Sequence, residues 1–123
     1  MSSFVTNYVD VRIYRYAEKH ELLNELEYVA SDGFVYKIPV GFKTGFASIP
    51  RFLWNIIAPI GKHTNASILH DYLYAYGKSK YGLSRKQCDK LFYDALIDSH
   101  CNQLTSNIMW LCVRLFAFRK FVR

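Results

Sequence analysis

Between Val9 and Tyr14 the chain alternates. Val9, Val11 and Ile13 interleave with Asp10, Arg12 and Tyr14, the period-two pattern of a strand with one buried face. From Glu21 to Ala30 two readings compete, because Leu22, Leu23 and Leu26 also fall at helical spacing. The downstream residues favour strands. Leu26-Glu27-Tyr28-Val29 leads through Ser31-Asp32-Gly33 into Phe34-Val35-Tyr36-Lys37-Ile38, and Asp-Gly between two β-prone runs signals a hairpin. A small antiparallel sheet over about residues 5–40 is expected.

After the glycine-bearing loop 41–48 the spacing lengthens to that of helices. Ser48 is a candidate N-cap and Pro50 suits a first helical turn, where a missing N–H costs nothing. They open a short helix through Arg51-Phe52-Leu53-Trp54-Asn55-Ile56-Ile57 that ends near Pro59 and Gly61. A second helix is predicted from about Thr64 to Tyr76, closed by Gly77, with Lys78 to Gly82 as a basic loop. Ser84 caps a third helix through about Asp98, and a last one covers roughly Leu104 to Phe121. The expected architecture is a single α+β domain over residues 1–123. Its small N-terminal antiparallel β-sheet packs on a C-terminal bundle of about three to four helices within about 49–121.

Composition narrows the class. In 123 residues, 51% are hydrophobic, with ten Tyr and nine Phe, which excludes a disordered tail. The net charge is +6, and after Asp98 the only formal charges are Arg114, Arg119, Lys120 and Arg123. A basic end favours an anionic membrane surface or another polyanion, or simply solvates the protein. Charge alone supports only non-specific nucleic-acid affinity, and no groove-reading motif is present, so specific nucleic-acid binding is not expected. Cys88, Cys101 and Cys112 are odd in number and lack metal-type spacing, which fits free thiols in a reducing compartment. The start Met1-Ser2-Ser3-Phe4 has no signal-peptide pattern, and no stretch reaches the roughly 18 apolar residues of a membrane span. The expected location is a cytoplasm, without Sec secretion.

Chemistry concentrates around Leu69-His70-Asp71-Tyr72-Leu73-Tyr74. On a helix His70 and Asp71 point about 100° apart, so one can act as a base while the other holds a cation or partner. On the next helix Asp89, Phe92 and Leu96 share a face, and an aspartate on an apolar stripe is costly unless paired. Its natural partner is His70 or the Tyr74 hydroxyl. A His–Asp pair fixes the imidazole tautomer and raises its basicity; the same residues can also form a buried network that merely pins two helices. Asp71 suits a hard cation such as Ca²⁺, with carbonyls from the loop Gly41 to Ser48 completing the shell. Alternatively Asp71 is a surface residue or an ion-pair partner of Arg51 or Arg85. Met109 to Phe121 is apolar nearly all round, as in a membrane-interface helix or a core helix, and core is preferred for its middle.

Gly41-Phe42-Lys43-Thr44-Gly45-Phe46-Ala47-Ser48-Ile49-Pro50-Arg51, then Trp54, Pro59, His70-Asp71-Tyr72-Leu73-Tyr74, Arg85, Asp89, Phe92 and Ala95-Leu96 resemble a phage and prophage domain family of unknown function. Its signature runs G-F-x-T-D-G-A-S-I-P-R, H-D-x-L-Y and R-x-x-x-D-x-x-F-x-x-A-L, with a closing helix like Val113-Arg114. The likeness covers roughly residues 34 to 118 and implies a phage origin without assigning an activity.

The same pattern is similar, over a shorter stretch, to the core of bacterial phospholipase A₂. That resemblance implies His70 as general base, Asp89 as its partner, Tyr74 steadying Asp89, Asp71 as a calcium ligand and a carbonyl near Gly45 as another. One departure weakens the cation site: Gly45 stands where an acid is expected, and Phe46 where the pattern has glycine. Secreted phospholipases also carry disulfides that this chain lacks. The functional expectation is a phage-encoded protein with a His–Asp hydrolase-like site for metal-assisted ester hydrolysis on the bacterial envelope. The alternative is a non-catalytic virion or tail component, or a modulator of a host protein, with phage or host proteins as partners.

Overall fold

The computed structural model describes residues 3–4, 11–13, 20–44, 64–116 and 121–122. Six short strands precede three helices: β1 Ser3–Phe4, β2 Val11–Ile13, β3 His20–Leu22, β4 Leu26–Val29, β5 Val35–Ile38, β6 Lys43–Thr44, α1 Thr64–Tyr81, α2 Arg85–Asp98 and α3 Gln103–Phe116. The fold is α+β, as the pattern implies. The strands divide into two antiparallel sheets of three, ordered β1-β4-β5 and β2-β3-β6.

The Asp-Gly hairpin is present. β4 and β5 pair in the register Leu26↔Ile38, Tyr28↔Tyr36 and Val29↔Val35, and Gly33 supplies the positive φ of +89° that the turn needs. The Ala30 N–H donates to the Phe34 carbonyl at 2.9 Å, and the Phe34 N–H to Asp32 Oδ1 at 2.9 Å. Alternation decides strand over helix here. Leu26, Tyr28, Tyr36 and Ile38 are buried while Lys37 faces solvent. The Tyr28 hydroxyl crosses to Asp98 Oδ2 at 2.6 Å, tying this sheet to the end of α2.

The helices settle two matters differently from the sequence expectation. α1 does not end at Gly77. It continues to Tyr81 and stops at Gly82, whose φ is +69°. There the Gly82 N–H bonds the Lys78 carbonyl, the 5→1 closure of an αL cap, and the Leu83 N–H reaches the Gly77 carbonyl, both at 3.0 Å. The segment expected as a basic loop is therefore the last turn of α1. Gly77 serves close packing instead: a Cβ there would lie 3.1 Å from Cys88 Sγ. The second correction concerns α3, which does not reach Phe121: among the described residues it runs to Phe116, and Phe121 and Val122 are not helical. The middle of α3 (Met109, Cys112, Val113) is buried as expected, yet Leu104, Leu111 and Leu115 are exposed. The stretch buried on all sides is instead the start of α1, where six successive residues from Asn65 to His70 are buried.

Ser84 caps α2 as predicted. Its hydroxyl accepts from the Gln87 N–H while the Gln87 side chain accepts from the Ser84 N–H, a reciprocal box that satisfies two orphan donors. Asn102 Oδ1 caps α3 through the Thr105 N–H at 2.7 Å. α2 packs between α1 and α3, with α1 also touching β6. Core residues from the sheets (Leu22, Leu26, Tyr28, Ile38) meet Leu69, Leu73, Phe92, Leu96 and Met109. The predicted helix over Arg51 to Ile57, its cap Ser48 and the loop from Gly45 onward lie outside the described residues. Among those described, no helix is long and apolar enough to cross a membrane.

Candidate functional site

Three connecting residues join α1 to α2, short enough to set the helices side by side in opposite directions. His70 and Tyr74, four apart, share one face of α1 and meet Asp89 on the facing side of α2. His70 Nε2 lies 2.8 Å from Asp89 Oδ1. The Tyr74 hydroxyl donates to the same oxygen at 2.5 Å. Arg114 reaches in from α3 and donates through Nη1 to Asp89 Oδ2 at 2.7 Å. Asp89 is 0% exposed, and the His70 side chain 3%. The His70 ring rests between Tyr74 and Phe92, with centroids 4.0 and 4.6 Å away.

A second layer holds these groups. Arg85 Nε donates to the Tyr74 hydroxyl at 3.0 Å, and its Nη2 donates to the Val113 and Arg114 carbonyls, each at 2.6 Å. Those carbonyls sit in the last turn of α3, where backbone acceptors lack helical partners and a cation complements the helix dipole. The Val122 N–H bonds the Tyr74 carbonyl at 2.8 Å, and the Phe121 ring packs edge-on against Tyr74 at 5.3 Å.

These contacts set the protonation states. Burial by itself would raise the Asp89 carboxyl, but the hydrogen bonds from His70, Tyr74 and Arg114 outweigh it and hold the group below the usual carboxylate range. Burial, then the hydrogen bond to Asp89, pushes the Tyr74 phenol well above its ordinary value, with Arg85 offsetting only part. Tyr74 therefore remains a proton donor to Asp89. Burial and then the Asp89 charge raise the neighbouring Cys88 thiol to about 12, so it stays protonated and unreactive.

Because Asp89 accepts, the neutral imidazole carries its proton on Nε2 and its lone pair on Nδ1. Among the described residues Nδ1 has no hydrogen-bond partner. Nδ1 is thus the accepting nitrogen of a ring whose side chain is only 3% exposed, and an imidazole held this way by a carboxylate has the tautomer a general base needs.

Of the sequence-predicted residues, the structure brings His70, Tyr74 and Asp89 together. The choice left open for Asp89 resolves to both partners. Asp71 is half-buried on the adjoining face of α1, and Gly45 lies outside the described residues. Among the described residues no three His, Cys, Asp or Glu side chains are grouped to hold a metal ion. A cation at Asp71 would therefore draw its other oxygens from elsewhere, backbone carbonyls included. Sequence reasoning missed Arg114 and Arg85. The signal for Arg114 was present, since an arginine inside the apolar run from Met109 needs a buried acid, and Asp89 was a buried acid needing a cation.

The family described as "Protein of unknown function (DUF1353)" matches residues 20–113, a span that holds His70, Tyr74, Asp89 and Arg85 and stops one residue short of Arg114. No curated protein and no solved structure matches the chain.

Proposed function

The chain belongs to this DUF1353 family, and we propose that its His70–Asp89 pair is the general-base dyad of a phage-encoded hydrolase-like protein acting on esters of the bacterial envelope. The observation that carries this reading is the anchored ring: Nε2 is fixed on Asp89 at 2.8 Å, which makes Nδ1 the accepting nitrogen. In the step so assigned, Nδ1 takes a proton from water as its oxygen attacks the ester carbonyl. The proton then passes to the departing alkoxide as the tetrahedral intermediate collapses. Asp89 stabilises the transient imidazolium, and Tyr74 and Arg114 position Asp89. Asp71, with carbonyls from the segment around Gly45, would hold a cation such as Ca²⁺, which when bound polarises the ester carbonyl.

The deciding assay is fatty-acid release from anionic bilayers, with calcium or chelator, for wild type and His70→Ala. The reading expects calcium-dependent release that falls by about 10²–10⁴-fold in the variant. No release from folded wild type would overturn it.

A specific observation favours a second reading. Arg114 neutralises the same carboxylate that would raise the basicity of His70, and Arg85 with Arg114 braces three helices at one point. On that view the network is structural, and the protein is a virion or tail component or a modulator of a host protein. His70→Ala would then cost about 1–3 kcal/mol of stability, with no substrate turned over.

A further inference from the structure

The outer seam between α2 and α3 holds a cavity of about 510 Å³, a size that suits a small-molecule site. α2 lines it with Lys86, Gln87, Lys90 and Tyr93, and α3 with Asn107 and Trp110. Positions 86, 90 and 93 follow one face of α2, and 107 and 110 one face of α3. His70, Tyr74, Asp89 and Arg114 are not among these residues.

Two properties set this cavity apart. The first is its rings. Elsewhere the aromatic side chains pack on one another: Phe4 on Tyr28, Phe34 on Tyr36 and Tyr81, Phe42 on Tyr72 and Tyr76, and Tyr74 on Phe121. Phe92 lies on the His70 ring. Among the described Phe, Tyr and Trp side chains, only Tyr93 and Trp110 have no ring neighbour, and both line this cavity. Trp110 is 37% exposed. The second property is charge. Lys86 has no carboxylate partner among the described residues, Lys90 shares its charge with Asp94, and none of the described lining residues is acidic. The first turn of α2, which carries Lys86 and Gln87, has no acid either, so the partial positive charge of the helix end adds to the lysines.

We propose that this cavity binds a nucleotide, its base stacked on the rings of Trp110 and Tyr93 and its phosphate held by Lys86. Stacking needs flat π-faces, and an indole with a phenol supplies two. The exposed amides of Gln87 and Asn107 stand at the same cavity, and such groups hydrogen-bond the edge of a base. A fatty-acyl chain would cover both amides and return no hydrogen bond. The Lys86 ammonium gives the phosphate its counter-charge. This site goes beyond the ester-hydrolysis reading and does not rest on it. A free nucleotide and one unit of a single-stranded nucleic acid present the same chemistry.

The test is isothermal titration of the full chain with adenosine monophosphate, adenosine and ribose phosphate. The monophosphate should bind more tightly than either fragment, since only it engages both the rings and the lysine. Trp110→Leu keeps an apolar side chain without the π-face and should weaken binding at least about fivefold. Lys86→Gln should weaken the monophosphate, leave adenosine unchanged and flatten the salt dependence. Both side chains are exposed, so circular dichroism should match wild type. Monophosphate bound no more tightly than ribose phosphate would leave surface charge alone and overturn the proposal. So would a Trp110→Leu variant that binds undiminished, or no saturable heat at millimolar monophosphate. Oligothymidylate bound more tightly than thymidine monophosphate, and weakened by the same two substitutions, would assign the site to single-stranded nucleic acid. The reverse order would assign it to the free nucleotide.

Discussion

Asp89 gives the central helical cluster its shape because a carboxylate removed from water must be satisfied on both oxygens. His70 and Tyr74 fill one and Arg114 the other. Removing the acid leaves the buried His70 ring and Tyr74 hydroxyl without their shared acceptor, while Arg114, 29% exposed, can turn to water. Asp89→Ala should therefore cost about 1–3 kcal/mol, read by urea unfolding at neutral pH. A loss under about 1 kcal/mol, the scale of an exposed ion pair, would show that the network adds little. The exposed pair Lys90–Asp94, by contrast, is one turn of helix surface with Lys90 74% exposed and belongs to that minor class. Sequence alone exposed half of this network. Asp89 betrayed itself by sitting on the Phe92–Leu96 stripe, and the local i,i+4 relation put His70 and Tyr74 opposite it. Arg114 could not be found by spacing, because its link to Asp89 joins two helices through tertiary packing.

Among the elements, the hairpin and α2 were legible because their signals are local: alternation with Asp-Gly for one, the Ser84–Gln87 box for the other. α1 was read too short because glycine has two uses. At Gly82 it takes a left-handed φ to end the helix, whereas at Gly77 it lets α2 approach, and that use depends on Cys88, eleven positions on. Alanine at an interior helical glycine ordinarily gains about 1 kcal/mol. Here the new Cβ meets Sγ of a fully buried Cys88 held near the Leu73 carbonyl, so Gly77→Ala should lower the thermal midpoint. Pairing it with Cys88→Ala should recover part or all of that loss. A single Gly77→Ala variant with a raised midpoint would mean that α2 shifts freely.

At the scale of the whole molecule, the same carboxylate links stability to pH. Its folded pKa lies below the unfolded value, so the stability it contributes is complete above an unfolded pKa of about 3.9 and is lost as pH falls through the folded pKa. Urea midpoints should therefore drop for wild type below about pH 4, while Asp89→Asn, weaker at neutrality, should lack that component of the decline. Equal slopes in the two proteins would place acid sensitivity elsewhere. A cluster that braces three helices also has a history built into it. Selection for folding alone would preserve such a brace of His70, Tyr74, Asp89 and Arg114, so those four letters would not by themselves separate relatives that carry out the proposed hydrolysis from any that do not. The division should instead run through Asp71 and the position of Gly45, neither of which belongs to the Asp89 brace.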